Sequence, residues 1–498
     1  MMNLSIEKRN LFLMLACFTP FLLWPSSAPA DNNKDFIMIS LGDSYASGEG
    51  APNAAATSSH GPAWNDVVCH RSDNAPAILA FKKLKAEHPG VSFGGDSTGR
   101  LIHFACSGAG VDNGILGPQR YDNGDLRVRT AQIQMVHEWM ESNYPQEKYP
   151  LRKIDALIID IGGNDANFQQ IVKWCLLPKV PSVGPVDVLN CSTRGGEALF
   201  SAGIFNLTKP DGLYHRLVGK ISQLPYVANV YVTEYPDPTH DASGNFCDSL
   251  PFPDFVGLTG AEARWAAQTV VAGLNKAIEN LVKDANRRSP KTTWHMIRGI
   301  SSQYANHGIC SDANYVRGRP QNRFVNTLGD SLLLQSDSRC DLSTALARFM
   351  DAPARSLASD PSASLADVFG KSLVGDCDYN GTMHPNAMGY LAYRDPIVAS
   401  MLPLFDRPAT PDTFRRDFMN QTSIQIRWTD KSINEDVFEI RYHTSNNNEW
   451  KYDSLPWGST SWTLSALTPG ETYTFELRSC SHVLGTPSSC SDWTNLTV

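Results

Sequence analysis

Charge is scarce in this chain. Asp, Glu, Lys and Arg make up 19% of its 498 residues, and the formal net charge is −8. A nucleic-acid partner would call for a basic face, so this balance argues against one. No CxxC pair and no HxxxH pair occurs, which removes the common spacings of a zinc site. After Trp24 no apolar run is long enough to span a bilayer. No internal repeat is evident. The hydrophobic share is 42%, an ordinary globular composition, and the length suffices for two or three domains with a sizeable core.

The one long apolar stretch lies at the start. Lys8 and Arg9 form a small basic region, Leu11 to Trp24 is apolar, and Ala28-Pro29-Ala30 places small residues before Asp31. This is the pattern of a secretory signal peptide over 1–30. As a membrane anchor the run is short, and no second span follows. Leu15-Ala16-Cys17 faintly matches a lipoprotein cleavage site, but apolar sequence continues past it. The expectation is a secreted protein, extracellular or periplasmic, with no stable transmembrane segment once the signal is removed. Of eleven cysteines, ten lie beyond the signal. An even number in an exported chain predicts disulfides. Sequential pairing is the expectation: Cys69 with Cys106, Cys175 with Cys191, Cys247 with Cys310, Cys340 with Cys377, and Cys480 with Cys490.

Residues 31–406 read as α/β. Short apolar strands recur at Phe36–Leu41, Ala156–Ile161, Val227–Thr233 and Thr293–Ile297, with helical patterns between them. The clearest helix is Ala261–Arg288, opened by a Thr259-x-x-Glu262 capping box. Such alternation implies a parallel sheet with helices on both faces, and a site at the carboxyl ends of its strands. Stretches rich in Gly, Ser, Asn, Pro and Cys, roughly 50–75, 173–215, 235–258 and 300–380, exceed ordinary loops and read as disulfide-tied insertions. Arg407 to Pro411 looks like a linker. Over 407–498 the pattern changes to alternating strands at Ser423–Trp428, Val437–His443, Ser461–Leu464 and Thr472–Ser479. Leu467 to Tyr473 resembles the tyrosine-corner segment of fibronectin type III domains, and Trp428 sits where their early core Trp sits. An all-β sandwich of about ninety residues is expected there.

Four segments carry candidate chemistry. Gly42-Asp43-Ser44-Tyr45 follows the first strand. A nucleophilic Ser needs a tight strand-to-helix turn, which Gly42 permits, while Gly48 and Gly50 keep the next segment open. A capping role for Asp43 and Ser44 is the plainer alternative. Gly329-Asp330-Ser331-Leu332 repeats the motif without a strong preceding strand, and reads as a helix start. Gly162-Gly163-Asn164-Asp165 follows the second long strand. There the Gly pair allows close approach of a ligand, and the Asn amide can donate to developing negative charge. Loss of one such donor costs about 3 kcal/mol of transition-state stabilisation. As a plain turn, the same segment needs no ligand. In Ala105-Cys106-Ser107-Gly108-Ala109-Gly110, Gly108 offers a backbone donor or a simple loop position. His384-Pro385-Asn386 stands at the start of a helical stretch to Met401 and can supply a general base.

Together these segments resemble, in order, four conserved blocks of the SGNH (GDSL-type) hydrolase family. The stretch Ser40 to Gly50 is similar to its secreted esterase and lipase branch, as are Cys69-His70-Arg71-Ser72 and Ala105-Cys106-Ser107-Gly108-Ala109. The resemblance covers most of residues 35–402. It implies a flavodoxin-like three-layer α/β/α fold and ester hydrolysis with no metal and no cofactor. It implies Ser44 as nucleophile, His384 as base, and an oxyanion hole formed by the Ser44 N–H, Gly108 and Asn164. Many members carry Asp three residues before the His, where this chain has Gly381. The group that orients His384 is then a backbone carbonyl near Gly381, or Asp378 or Asp376 folding back. The substrate implied is a small-molecule or lipid ester. An acetylated polysaccharide is the alternative, which would make the chain a polysaccharide O-acetylesterase. A binding or adhesion protein with an inactive hydrolase fold is a reading from another class. A metallophosphoesterase would need a cluster of Asp, Asn and His ligands that the segment after Asp165 does not supply.

Overall fold

The computed structural model describes residues 35–498 apart from 56–60, 121–127, 151, 177–190, 249–257, 290, 313–321, 328–329, 331–380, 382 and 485–488. The expected signal, Ser331, Asp376, Asp378 and the Cys340–Cys377 pair fall outside the described residues.

The chain from β1 (Met38–Gly42) to β7 builds a parallel sheet. Its other strands are β2 (Ile102–His103), β5 (Ala156–Asp160), β6 (Asn229–Thr233) and β7 (Thr293–Ile297), in the order β2-β1-β5-β6-β7. A small antiparallel pair, β3 (Gln119–Arg120) and β4 (Val128–Arg129), stands apart. Every residue of β1, β5 and β6 is buried. That is why these strands read in sequence as continuous apolar runs rather than as alternations. From β1 the chain first goes to β2 on one side, and β5, β6 and β7 add on the other. The strand order therefore reverses between β1 and β5, the place where open α/β sheets leave a crevice at their carboxyl edge. Register sets that edge: Gly42 pairs with Asp160.

Helices α1 (Ser44–Ser47), α2 (Pro76–Glu87), α3 (Gln132–Asn143), α4 (Phe168–Leu176), α5 (Glu197–Thr208) and α6 (Leu213–Ile221) all precede β6 in the chain. The expected helix from Ala261 is present in three parts: α7 (Gly260–Trp265), a π-helical turn over Ala266–Val271, and α8 (Ala272–Arg288). Its capping box is formed, with the Glu262 N–H donating to Thr259 Oγ1 at 3.3 Å and the Thr259 N–H to Glu262 Oε2 at 2.9 Å. The short α9 (Ile300–Gln303) and the long α10 (Ala387–Met401) follow. The stretch 173–215 is not wholly irregular, since it contains α5. Apolar residues surround that helix rather than forming one stripe, so no helical period stands out in Glu197–Thr208.

Residues from Asp412 onward form two antiparallel sheets. One has the order β12-β9-β8 (Ser461–Ser465, Ser423–Thr429, Asp412–Met419). The other has β11-β10-β13-β14 (Asn447–Pro456, Val437–Thr444, Tyr473–Cys480, Thr494–Thr497). Trp428, Phe438, Ile440, Tyr473 and Phe475 fill the core between them. The Thr468 N–H donates to the Tyr473 hydroxyl at 2.8 Å, the hydrogen bond that defines a tyrosine corner. Four disulfides are present among the described residues: Cys69–Cys106, Cys175–Cys191, Cys247–Cys310 and Cys480–Cys490. All four follow sequential pairing. No helix among the described residues is long and apolar enough to cross a membrane.

Candidate active site

The nucleophile turn is built around a glycine. Gly42 has φ +140°, and a Cβ placed there would lie 2.3 Å from the Asp160 carbonyl oxygen. Only glycine accepts that backbone beside the neighbouring strand. The buried Gln132 amide brackets the same peptide unit. Its Oε1 accepts from the Gly42 N–H and its Nε2 donates to the Gly42 carbonyl, both at 2.8 Å. Asp43 then caps α1, its Oδ1 accepting from the Tyr45 N–H at 3.0 Å. Gly48, with φ +94°, ends the single helical turn. Ser44 is its first residue and is 8% exposed.

His384 meets Ser44 from the other end of the domain. Its Nε2 lies 2.7 Å from Ser44 Oγ. The loop that holds it is braced on three sides. The Tyr45 ring stands 4.8 Å from the imidazole, and its hydroxyl donates to the Met383 carbonyl at 2.8 Å. Asn326 pairs with the same loop: its N–H donates to the His384 carbonyl, and its carbonyl accepts from Met383, both at 2.9 Å. Its side-chain Nδ2 donates to the Gly50 carbonyl at 2.7 Å. After the loop, Asn386 caps α10, accepting from the Gly389 N–H at 3.0 Å. The Gly381 carbonyl accepts the backbone N–H of His384 at 3.1 Å.

The third part is a pair of loops. The Cys69–Cys106 disulfide fixes the start of the loop that carries Gly108, whose φ is +76°. Asn164 reaches that loop, donating from Nδ2 to the Ala109 carbonyl at 2.9 Å. Asp165 holds the loop one step further on, its two oxygens accepting from the Val111 N–H at 3.0 and 3.2 Å. An amide NH2 has two donors, so Asn164 has a second N–H beyond the one spent on Ala109. Ser44 and His384 are thus joined directly, and Gly108's loop and Asn164 are joined to each other; Ser44, Gly108 and Asn164 follow the carboxyl ends of β1, β2 and β5, and His384 comes from the loop before α10.

Buried carboxyls crowd beneath the turn. Burial pushes Asp43 up to about 7, with the charges of Asp165 and Glu49 adding to it, while hydrogen bonds from Tyr235 and Tyr45 oppose. The Tyr235 hydroxyl donates to Asp43 Oδ2 at 2.6 Å. Burial and the charge of Asp43 raise Asp160 well above the carboxylate range. Asp165 is pushed up to about 6, chiefly by burial. Among the described residues, the group that could offer three metal-ligand atoms is Glu439, Cys480 and Cys490, in the sandwich. Its two sulfurs are joined to each other as a disulfide.

Gln132, Asn326, Tyr235 and Glu49 support the site and were not singled out from sequence. Glu49 alone had a local signal, standing between Gly48 and Gly50. The second Gly-Asp-Ser segment behaves as a helix cap where it is described. The Thr327 N–H donates to Asp330 Oδ2 at 3.0 Å and the Asp330 N–H to Thr327 Oγ1 at 3.3 Å, the reciprocal pattern of a capping box. The same carboxylate holds the buried Arg323 at 2.8 Å.

Comparison with known proteins speaks to the tail. The fibronectin type III domain model matches residues 409–491, so the chain carries such a domain at its C-terminal end. Among solved structures, the fibronectin type III domain of human collagen XX is 15% identical, covering 18% of this chain and 91% of that one, with a TM-score of 0.16. A computationally redesigned β-sandwich protein is 17% identical, covering 18% of this chain and 86% of that one, again with a TM-score of 0.16. No curated protein matches the chain. A fibronectin type III domain together with several disulfides suggests an extracellular protein.

Proposed function

We propose that this chain is a secreted serine carboxylester hydrolase, an esterase or lipase of SGNH (GDSL) type, with its fibronectin type III domain appended. The observation that carries the reading is the 2.7 Å hydrogen bond between Ser44 Oγ and His384 Nε2, made by residues 340 apart in sequence. The reading is supported by where the segments start, since Ser44, Gly108 and Asn164 follow the neighbouring strands β1, β2 and β5 at the strand-order reversal. The sheet order β2-β1-β5-β6-β7 is the flavodoxin-like one the family resemblance implies.

The mechanism follows from the residues. Ser44 Oγ attacks the ester carbonyl carbon while His384 Nε2 takes its proton. The developing oxyanion is met by the Ser44 N–H, the Gly108 N–H and the second N–H of Asn164. His384 then protonates the leaving alcohol, and an acyl-Ser44 ester remains. Water, deprotonated by His384, attacks that ester and releases the acid and free Ser44. Asp165 and the Cys69–Cys106 disulfide keep the oxyanion loop in place during both steps.

Hydrolysis of a p-nitrophenyl ester series, acetate to palmitate, with EDTA present, tests the reading. The wild type hydrolyses at least one member, and Ser44→Ala lowers the rate at least about a thousandfold. A fluorophosphonate labels the wild type and not the variant. Equal activity in both proteins would remove Ser44 from the chemistry. A profile confined to acetate would select the polysaccharide O-acetylesterase form of the same site. An inert, unlabelled wild type would favour a binding or adhesion protein with an inactive hydrolase fold.

A further inference from the structure

We propose that Glu49 is a positioning residue for His384, its buried carboxylate stabilising the imidazolium that forms when His384 takes the Ser44 proton. The proposal rests on the ester-hydrolase reading of the site. Glu49 is 1% exposed and is pinned through both backbone and side chain. Its N–H donates to the Ser44 carbonyl at 3.2 Å, and its own carbonyl accepts from the Tyr390 hydroxyl at 2.7 Å. Its carboxylate accepts from Ser107 Oγ, the residue immediately before Gly108. His70 Nδ1 stands 3.5 Å from the same Oε2, and the His70 ring stacks on Trp64 at 4.8 Å. The next residue, Gly50, abuts the base: a Cβ there would lie 3.0 Å from His384 Cβ and 2.7 Å from the Pro385 carbonyl. Glu49 therefore ties the nucleophile turn, the oxyanion loop and the His384 loop together.

The charge on Glu49 is secure. Burial raises its carboxyl, but the charge and hydrogen bond of His70, the charge of His384 and the hydrogen bond of Ser107 outweigh that and hold it at about 2. It stays ionised across any working pH. The titratable groups that face it are His70 beside the disulfide, Tyr390 from α10, Tyr45 and Asp43 from the nucleophile turn, and His384 itself. Asp43 and Tyr45 are pushed up by burial, so near neutrality they contribute less negative charge than Glu49 does. A fixed anion in a water-poor site favours an imidazolium over a neutral imidazole.

Titration of the His384 ring by NMR, together with the pH profile of kcat/KM on a p-nitrophenyl ester, tests this in the wild type, Glu49→Gln and His70→Gln. Glu49→Gln lowers the His384 midpoint and the acid limb by about half a pH unit or more, and lowers the plateau about tenfold. His70→Gln moves both midpoints upward, because it removes the imidazole that competes for Glu49 Oε2. A purely structural role would not move the two variants in opposite directions. Unchanged midpoints, or shifts of the same sign, would overturn the proposal. If Glu49→Gln does not fold, the direction of the His70→Gln shift decides. If the wild type hydrolyses no ester, the functional reading fails, while the NMR titration still decides the coupling of Glu49 to His384.

Discussion

Asp160 ends β5 directly opposite Gly42, and both of its carboxylate oxygens are buried. Burial and the nearby Asp43 favour its neutral form. A carboxyl whose folded pKa is raised binds its proton more tightly in the folded state than in the unfolded one. Its contribution is therefore complete below the unfolded value near 4 and is lost as pH rises toward the folded value. Asp160→Asn keeps the shape and removes the titration. Relative to wild type, this variant should gain stability as pH rises from 4 to 8, at about 1.4 kcal/mol per unit until the folded pKa is reached. Thermal melts of both proteins at several pH values measure the difference, and a pH-independent gap would mean that Asp160 is ionised in the fold. Ser44, Asn164 and His384 were visible in sequence because their motifs are local: each stands beside the glycine or proline that shapes its own turn. The residues that brace them were not. Gln132 reaches Gly42 across 90 residues and Asn326 reaches Gly50 across 276, and no spacing rule marks an amide for so distant a partner.

At the scale of elements, burial on both faces made the parallel strands legible, because a strand with no solvent face needs no polar positions. Three of the four expected strands differ from the observed ones only at their ends, and Thr293–Ile297 agrees throughout. The short β2 was missed, since two residues cannot carry a period. In the sandwich, β8, β11 and β14 were missed because none of them has a fully buried position to mark an alternation. The β1-to-α1 turn is the element on which the site depends. Gly42→Ala would force a Cβ against the β5 backbone at a positive φ. It should cost about 2–4 kcal/mol and displace Ser44, so that kcat/KM falls further than the fraction of folded protein does. A melt paired with steady-state kinetics at a temperature where the variant is folded separates the two effects. Full activity with an unchanged melting temperature would show that the turn does not depend on glycine.

At the scale of the molecule, the sandwich docks on the amino edge of the parallel sheet, away from the site. Lys153, three residues before β5, is 1% exposed. Its Nζ donates to the Glu435 carbonyl and lies 3.3 Å from Asp436 Oδ1 and 3.7 Å from Asp155 Oδ1. Asn229, first residue of β6, donates to the Ile433 carbonyl at 2.7 Å. Asn434 returns a hydrogen bond to the Asp406 carbonyl at 2.6 Å. The stretch that read as a linker is itself fixed, with Arg407 Nε donating to the Cys490 carbonyl at 2.7 Å and Arg407 Nη2 paired with Asp492 at 2.8 Å. The sandwich is thus held at the edge of the sheet opposite the candidate site.

One buried lysine thus faces three acids across the junction. Burial alone would lower its pKa, but Asp436, Asp155 and Glu435 outweigh that and raise it. Glu435, pushed up to about 8 by burial and by Asp430, is mostly neutral at pH 7, so Lys153 chiefly balances Asp436 and Asp155. Lys153→Met keeps the length of the side chain and removes its charge. Leaving buried carboxylates without their cation should cost about 3–5 kcal/mol. That loss falls on the junction, so calorimetry of the full chain should show the sandwich and the α/β domain melting in two transitions where the wild type shows one. Lowering the pH should narrow the gap between variant and wild type, because the stranded acids can then take up protons. Ester hydrolysis below the first transition should be unchanged, since the junction and the site occupy opposite edges of the sheet. A single unshifted transition would mean that the lysine does not hold the domains together. A loss of activity in a fully folded variant would mean that the amino edge and Ser44 are coupled through the strands.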